Sequence, residues 1–115
     1  MTDLFRLKVV FYKTGSGNEP VREWLQDLTR AEKKNIGEDI KTIQFGWPLG
    51  MPLIRKLDSD LWEIRSHLKN RTARVLFTII NDNMILLHGF VKKTQKTPKQ
   101  DIQLARKRIQ DIRSE

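Results

Sequence analysis

The sequence predicts a single α+β domain, residues 1–115, in which a mainly antiparallel sheet carries a helical hairpin on one face and is followed by a C-terminal helix. One short β-rich segment precedes two segments with helical periodicity. Three further β-rich segments, separated by short polar turns, precede a last capped helix. The predicted order is therefore β-α-α-β-β-β-α, and 115 residues suffice for one hydrophobic core but not for two.

The first third of the chain is predicted to form a strand and two helices. "LKVVFY" (Leu7–Tyr12) is rich in β-forming residues and ends at the turn-prone "TGSGN". Pro20 then suits the first turn of a helix whose apolar residues recur at helical spacing: Val21, Trp24, Leu25 and Leu28.

A T-x-x-E capping box formed by Thr29 and Glu32 predicts the start of the second helix, which has isoleucines spaced along one face. "FGWP" predicts its end, with Gly46 in a left-handed conformation and Pro48 unable to continue the helix.

Three strands and a helix are predicted in the second half. The strands are "LWEIRS", "ARVLFTII" and "MILLHGFV", and the polar segments between them are short enough for hairpins. Thr97, Pro98 and Gln100 predict a second capping box, with proline at the first helical position. The last helix has a narrow apolar stripe: Ile102, Ala105, Ile109 and Ile112.

The alternation of side chains along strands predicts a basic cluster on one sheet face. If the first hairpin turns at residues 69–70, Arg65 lies directly opposite Arg74. If the second centres on residue 82, Arg74 lies opposite Phe90, and His88 and Lys92 share this face. Two opposed arginines repel each other, so a bound anion such as phosphate would favour the arrangement. A solvated basic face is the alternative reading.

The formal net charge of +8 makes polyanions, whether RNA, DNA or an acidic protein, the expected partners. No basic amphipathic helix with an aromatic face is evident, so we expect no membrane partner. The chain has no cysteine, no recognisable signal peptide and no membrane span, which favours the cytoplasm. Two histidines without cysteines do not make a common zinc site, so metal-free chemistry is expected.

The segment "HGFVKKTQKTPKQ", residues 88–100, concentrates positive charge at a strand-to-helix junction and contains no acidic residue. It is either a phosphate-binding edge or a solvated basic turn. His88 is likewise either a partly buried structural histidine or a proton-transfer group. Glu63 could form an ordinary ion pair with Arg65 or Lys56.

"KLDSDLWEIRS", "ARVLFTII" and "LLHGFVKKTQKTPKQDIQLARKR" resemble the HigB-like, phage-derived branch of the RelE toxin superfamily. The resemblance implies a RelE-like fold and a toxin that cleaves mRNA on the ribosome by metal-free attack of the RNA 2′-hydroxyl. It implies no cofactor. It also implies a partner, a HigA-like helix-turn-helix antitoxin, in a hetero-oligomeric toxin–antitoxin complex.

The resemblance also implies residue roles. Arg74 matches the family's phosphate-stabilising arginine, Arg65 the basic residue on the preceding strand, and Lys92 and Lys93 the basic pair after the fourth strand. His88 or a lysine is the candidate general base, because the last helix lacks the tyrosine that several relatives use. The expected RNA phosphate ligands are Lys56, Lys96 and Lys99. A non-catalytic nucleic-acid- or partner-binding module on the same fold is the alternative.

Overall fold

The computed structural model of the protein describes residues 7–47, 54–92 and 96–114. It contains β1 (Lys8–Phe11), α1 (Pro20–Gln26), α2 (Arg30–Gly46), β2 (Ile54–Asp58), β3 (Leu61–His67), β4 (Thr72–Ile80), β5 (Asn83–Lys92) and α3 (Lys99–Arg113). The α+β class is confirmed. The order has one strand more than predicted, since β2 is a short edge strand with little apolar pattern to reveal it.

The five strands form one sheet in the order β1-β5-β4-β3-β2. β1 runs parallel to β5, and all the other neighbours are antiparallel, as the sequence predicted for most of the sheet. The sheet therefore places β4, with Arg74, at its centre.

The predicted cross-strand pairs around Arg74 are confirmed, but the second hairpin does not centre on residue 82, because Ile80 pairs with Asn83 and residues 81–82 form the turn. Arg65 pairs with Arg74 across β3 and β4, and Arg74 pairs with Phe90 across β4 and β5. Leu76 pairs with His88, but Phe77 then pairs with Leu86, so Leu87 is an extra residue on β5. This β-bulge lies directly beside His88.

Each sheet face carries its own hydrophobic core. One core lies under the hairpin of α1 and α2 and includes Val21, Ile36 and Phe77. The other lies under α3 and includes Leu76, Leu87 and Ala105. The alternative of a wet, solubilising sheet face is therefore wrong, because α3 covers the face that holds Arg74.

The helix ends agree with the sequence in part. Pro20 opens α1, and the Thr29–Glu32 capping box is present at the start of α2. Gly46 is not left-handed; it is the last residue of α2, and Pro48 lies outside the described residues. The second capping box is also absent, because α3 begins at Lys99 and the hydroxyl of Thr97 is used elsewhere.

Candidate functional site

The candidate site lies where the N-terminal part of α3 crosses the sheet. β2 contributes Arg55, β3 contributes Glu63 and Arg65, and β4 contributes Arg74. β5 contributes His88, the segment before α3 contributes Thr97, and the first turn of α3 contributes Asp101. We call Glu63, Arg65, Arg74 and Thr97 the arginine–glutamate cluster, and His88 with Asp101 the histidine–aspartate pair.

Arg74 lies at the bottom of the site and is only 2% exposed. The arginine that the family resemblance matched to phosphate stabilisation is therefore buried under α3 and not displayed on a solvated sheet face. Its Nη1 donates a long hydrogen bond of 3.4 Å to the Thr97 hydroxyl and lies 3.9 Å from a Glu63 carboxylate oxygen. Burial lowers the pKa of Arg74, the negative charge of Glu63 opposes that shift, and Arg65 and Arg55 add to it. Arginine still keeps its proton throughout the physiological range.

Glu63 is fully buried, and both of its carboxylate oxygens accept hydrogen bonds. Arg65 Nε donates to Oε1 at 2.7 Å, and the Thr97 hydroxyl donates to Oε2 at 2.6 Å. Of the two ion pairs that the sequence allowed, the structure contains the one with Arg65, and it is not a surface pair. A buried carboxylate therefore separates the two opposed arginines.

Lys56 does not join this cluster. Its ammonium lies over the ring of Trp62, 5.9 Å from the centroid. Lys56 also pairs with Trp62 across β2 and β3, which places both on the face of the helical hairpin. The predicted role of Lys56 beside the other cations is thus not supported by its position.

The histidine–aspartate pair is the feature that sequence reasoning missed. His88 Nε2 lies 2.7 Å from Asp101 Oδ1, and its ring stacks on Phe90 with centroids 5.3 Å apart. An ionised Asp101 accepts from the Nε2 proton and leaves Nδ1 as the basic nitrogen. The sequence shows only that Asp101 shares the buried side of α3 with Ala105 and Ile109, at spacings of four residues, and the contact with His88 depends on where α3 lies on the sheet.

The other predicted cations lie nearer to solvent. Lys92 ends β5 opposite Thr72 and is half-buried, and Lys96 and Lys99 are exposed. Lys93 lies outside the described residues. Arg55, which the sequence did not single out, pairs with Glu63 across β2 and β3.

A cavity of about 370 Å³ opens beside the arginine–glutamate cluster, between β2 and α3. It is lined by Arg55, Leu57, Lys96, Thr97 and Ile102. A larger cavity of about 690 Å³ lies along β1 and is lined by no residue of the arginine–glutamate cluster, whereas the smaller one shares Thr97 with it.

The described residues contain neither a metal-binding group of side chains nor a membrane-spanning helix. Within residues 7–47, 54–92 and 96–114, no three acidic, histidine or cysteine side chains are grouped so as to hold a metal ion. No helix in the same part of the chain is long and apolar enough to cross a membrane.

A family model described as "Phage derived protein Gp49-like (DUF891)" matches residues 23–110. No curated protein matches the chain. The matched range runs from α1 into α3 and includes every residue of the arginine–glutamate cluster and the histidine–aspartate pair.

Proposed function

The chain belongs to the Gp49-like family of phage-derived proteins, a RelE-like toxin family, and we propose that it is a HigB-like toxin that cleaves mRNA on the ribosome. The observation that carries the proposal is the histidine–aspartate pair beside a buried arginine–glutamate cluster. Together these groups offer a proton acceptor and concentrated positive charge, the two requirements for metal-free RNA cleavage.

The reaction needs three functions from the protein. The 2′-oxygen attacks the adjacent phosphorus in line, the bond from phosphorus to the 5′-oxygen breaks, and the products are a 2′,3′-cyclic phosphate and a 5′-hydroxyl. A base takes the 2′-hydroxyl proton, cations stabilise the charge that develops on the phosphorane, and an acid protonates the leaving 5′-oxygen.

We assign the base to His88, with Asp101 orienting its ring and stabilising the imidazolium that forms. Arg65, 18% exposed at its side chain, and Lys92 bind the scissile phosphate. Lys92 or Lys93 protonates the leaving oxygen. Arg74 lies beneath this surface and contributes through Glu63 and Thr97, not by direct contact.

The proposed partners follow from the same assignment. The exposed Lys96 and Lys99 bind phosphates of mRNA or ribosomal RNA, and a HigA-like helix-turn-helix antitoxin neutralises the toxin in a hetero-oligomer. The positive charge of +8 supports both a polyanionic target and an acidic inhibitor segment.

The test uses the two histidines of the chain as a matched pair. His88→Gln retains a donor for Asp101 but lacks the basic nitrogen, whereas His67→Gln changes an exposed residue at the end of β3. We expect His88→Gln to slow cleavage about 10²- to 10⁴-fold and to abolish growth arrest on induction, and His67→Gln to behave as wild type. Primer extension on ribosome-bound mRNA would locate the cuts. Unchanged cutting by His88→Gln would refute the assignment.

The burial of Arg74 favours a second candidate, a non-catalytic binding module on the same fold. A module of this kind would bind ribosomes or a partner protein through Lys92, Lys96 and Lys99 without cutting RNA. Growth arrest without new 5′ ends in the primer-extension experiment would support this candidate and exclude the nuclease.

A further inference from the structure

We propose that Glu63 is a positioning residue that sets both the direction of the Arg65 guanidinium and the net charge offered to a bound phosphate. The proposal rests on the assignment of phosphate binding to Arg65 and goes beyond it, because it gives a role to a carboxylate that cannot itself attract RNA. Glu63 is the only acidic side chain among the buried residues of β3 and β4.

The first argument is geometric. Arg65 Nε donates to Glu63 Oε1 at 2.7 Å, and a bond at Nε fixes the plane of the guanidinium group. Because this Nε–H is committed to Glu63, a phosphate bound by Arg65 is held through the two Nη groups. Glu63 is held in turn by the 2.6 Å hydrogen bond from Thr97 and has no exposure through which water could compete. Arginine binds phosphate best through paired donors in one plane, so this orientation matters for the reaction.

The second argument concerns charge. Arg55, Arg65 and Arg74 surround Glu63: Arg55 lies directly across β2, Arg65 bonds to it, and Arg74 Nη1 is 3.9 Å away. The carboxylate cancels one of these three positive charges. Glu63 therefore weakens ground-state attraction for any phosphate while it holds Arg65 in place, and the two effects can be separated by substitution.

Two variants of Glu63 separate its effect on the orientation of Arg65 from its effect on the local charge. Glu63→Gln keeps the size and, with its amide oxygen turned toward Arg65, the hydrogen bond from Arg65 Nε. It removes the charge and the acceptor for the Thr97 hydroxyl, and the folded protein should bind inorganic phosphate about fivefold more tightly. Glu63→Asp keeps the charge but withdraws the carboxylate from Arg65. Its kcat for RNA cleavage should fall about 10²-fold, and its affinity for phosphate should not tighten.

The matched control is Glu32→Gln, which makes the same change of charge at another glutamate–arginine pair, at the start of α2. Its phosphate affinity should equal that of wild type. Phosphate titrations followed by NMR of the arginine Nε–H signals give the affinities, and urea unfolding gives the stability of each variant. A role confined to stability would lower the unfolding free energy of both Glu63 variants but leave phosphate affinity unchanged, which would overturn the proposal.

The wild-type protein gives a measurement that does not depend on variants folding. Phosphate should shift the Arg65 Nη signals and leave its Nε–H bonded to Glu63 and slow to exchange. Loss of that protection on phosphate binding would show that phosphate displaces Glu63 and would overturn the proposal, as would the absence of any phosphate effect on Arg65. Neither result depends on RNA cleavage, so a protein that fails to cut RNA would refute the nuclease alone.

Discussion

At the scale of single residues, the position of Arg74 changes what its substitution should do. A guanidinium that is 2% exposed and faces Glu63 stabilises the fold by compensating a buried carboxylate. Removing one partner of a buried ion pair leaves the other charge without full compensation. Arg74, which the family resemblance matched to phosphate stabilisation, is therefore also part of the folded core.

We accordingly predict that Arg74→Ala lowers the free energy of unfolding by about 3–5 kcal/mol. The matched control is Arg71→Ala, which removes an exposed arginine paired with Glu32 and should lower the stability far less. Urea unfolding of both variants makes the comparison. Equal, small losses in the two proteins would contradict the burial of Arg74.

Thr97 provides a second test at this scale. Its hydroxyl donates to Glu63 and accepts from Arg74, so Thr97→Val should cost about 1–3 kcal/mol by leaving a buried carboxylate oxygen without its donor. Thr97→Ser retains the hydroxyl and should lie much closer to wild type in thermal unfolding. If both variants lose the same stability, the methyl group and not the hydrogen bond is responsible.

At the scale of elements, the contact of α1 with β5 depends on one glycine. A Cβ at Gly89 would overlap the ring of Trp24, so the absence of a side chain lets α1 pack directly on the strand. His88 is the neighbouring residue on β5, so the packing of α1 against this strand also affects the position of His88 in the site.

Gly89→Ala should therefore destabilise the protein by about 1–3 kcal/mol through overpacking. Gly37→Ala, in α2, is the control, because a Cβ there meets nothing within 4 Å and alanine favours a helix. Adding Trp24→Leu to Gly89→Ala should recover part of the loss. A double variant no more stable than Gly89→Ala would contradict this explanation.

The start of α2 makes a prediction about pH. The hydrogen bond from Arg71, followed by that from the Thr29 backbone, lowers the pKa of Glu32 below its ordinary 4.5. A depressed pKa stabilises the fold above the ordinary value, and the contribution is lost as pH falls through the lowered one. Wild type should thus exceed Glu32→Gln in stability at neutral pH and lose that advantage in acid. A stability difference independent of pH would exclude the ionic contribution.

At the scale of the whole molecule, positive charge should govern the binding of the protein to ribosomes or RNA. Lys96→Gln with Lys99→Gln should weaken ribosome or RNA binding and reduce the slope of log affinity against log salt by about 0.7 per lost contact on single strands. Lys33→Gln with Lys34→Gln, on the exposed side of α2, changes the charge equally and should leave the slope as it is. Identical slopes in the two double variants would mean that Lys96 and Lys99 bind no phosphate.

The sequence predicted the sheet more completely than the site. The pairing of Arg65 with Arg74 followed from strand alternation and turn length, which are local properties. The position of α3 is not local, so the sequence alone could not show that Arg74 is buried or that Asp101 reaches His88. Thr97 illustrates the difference, since the hydroxyl that was predicted to accept from the helix backbone instead accepts from Arg74 and donates to Glu63, which lie on distant strands.

The parallel pairing of β1 with β5 has a consequence for the order in which the protein folds during synthesis. β1 is translated before the helical hairpin, yet its hydrogen-bonding neighbour is the last strand of the sheet to be made. Contacts between segments so far apart in sequence form slowly, because a long loop must close first. Thr97 and Asp101 follow every strand, so a nascent chain that has completed its sheet still lacks the groups that hold Glu63 and His88. The ribosome that makes this protein therefore carries it in an incomplete form until the start of α3 has emerged.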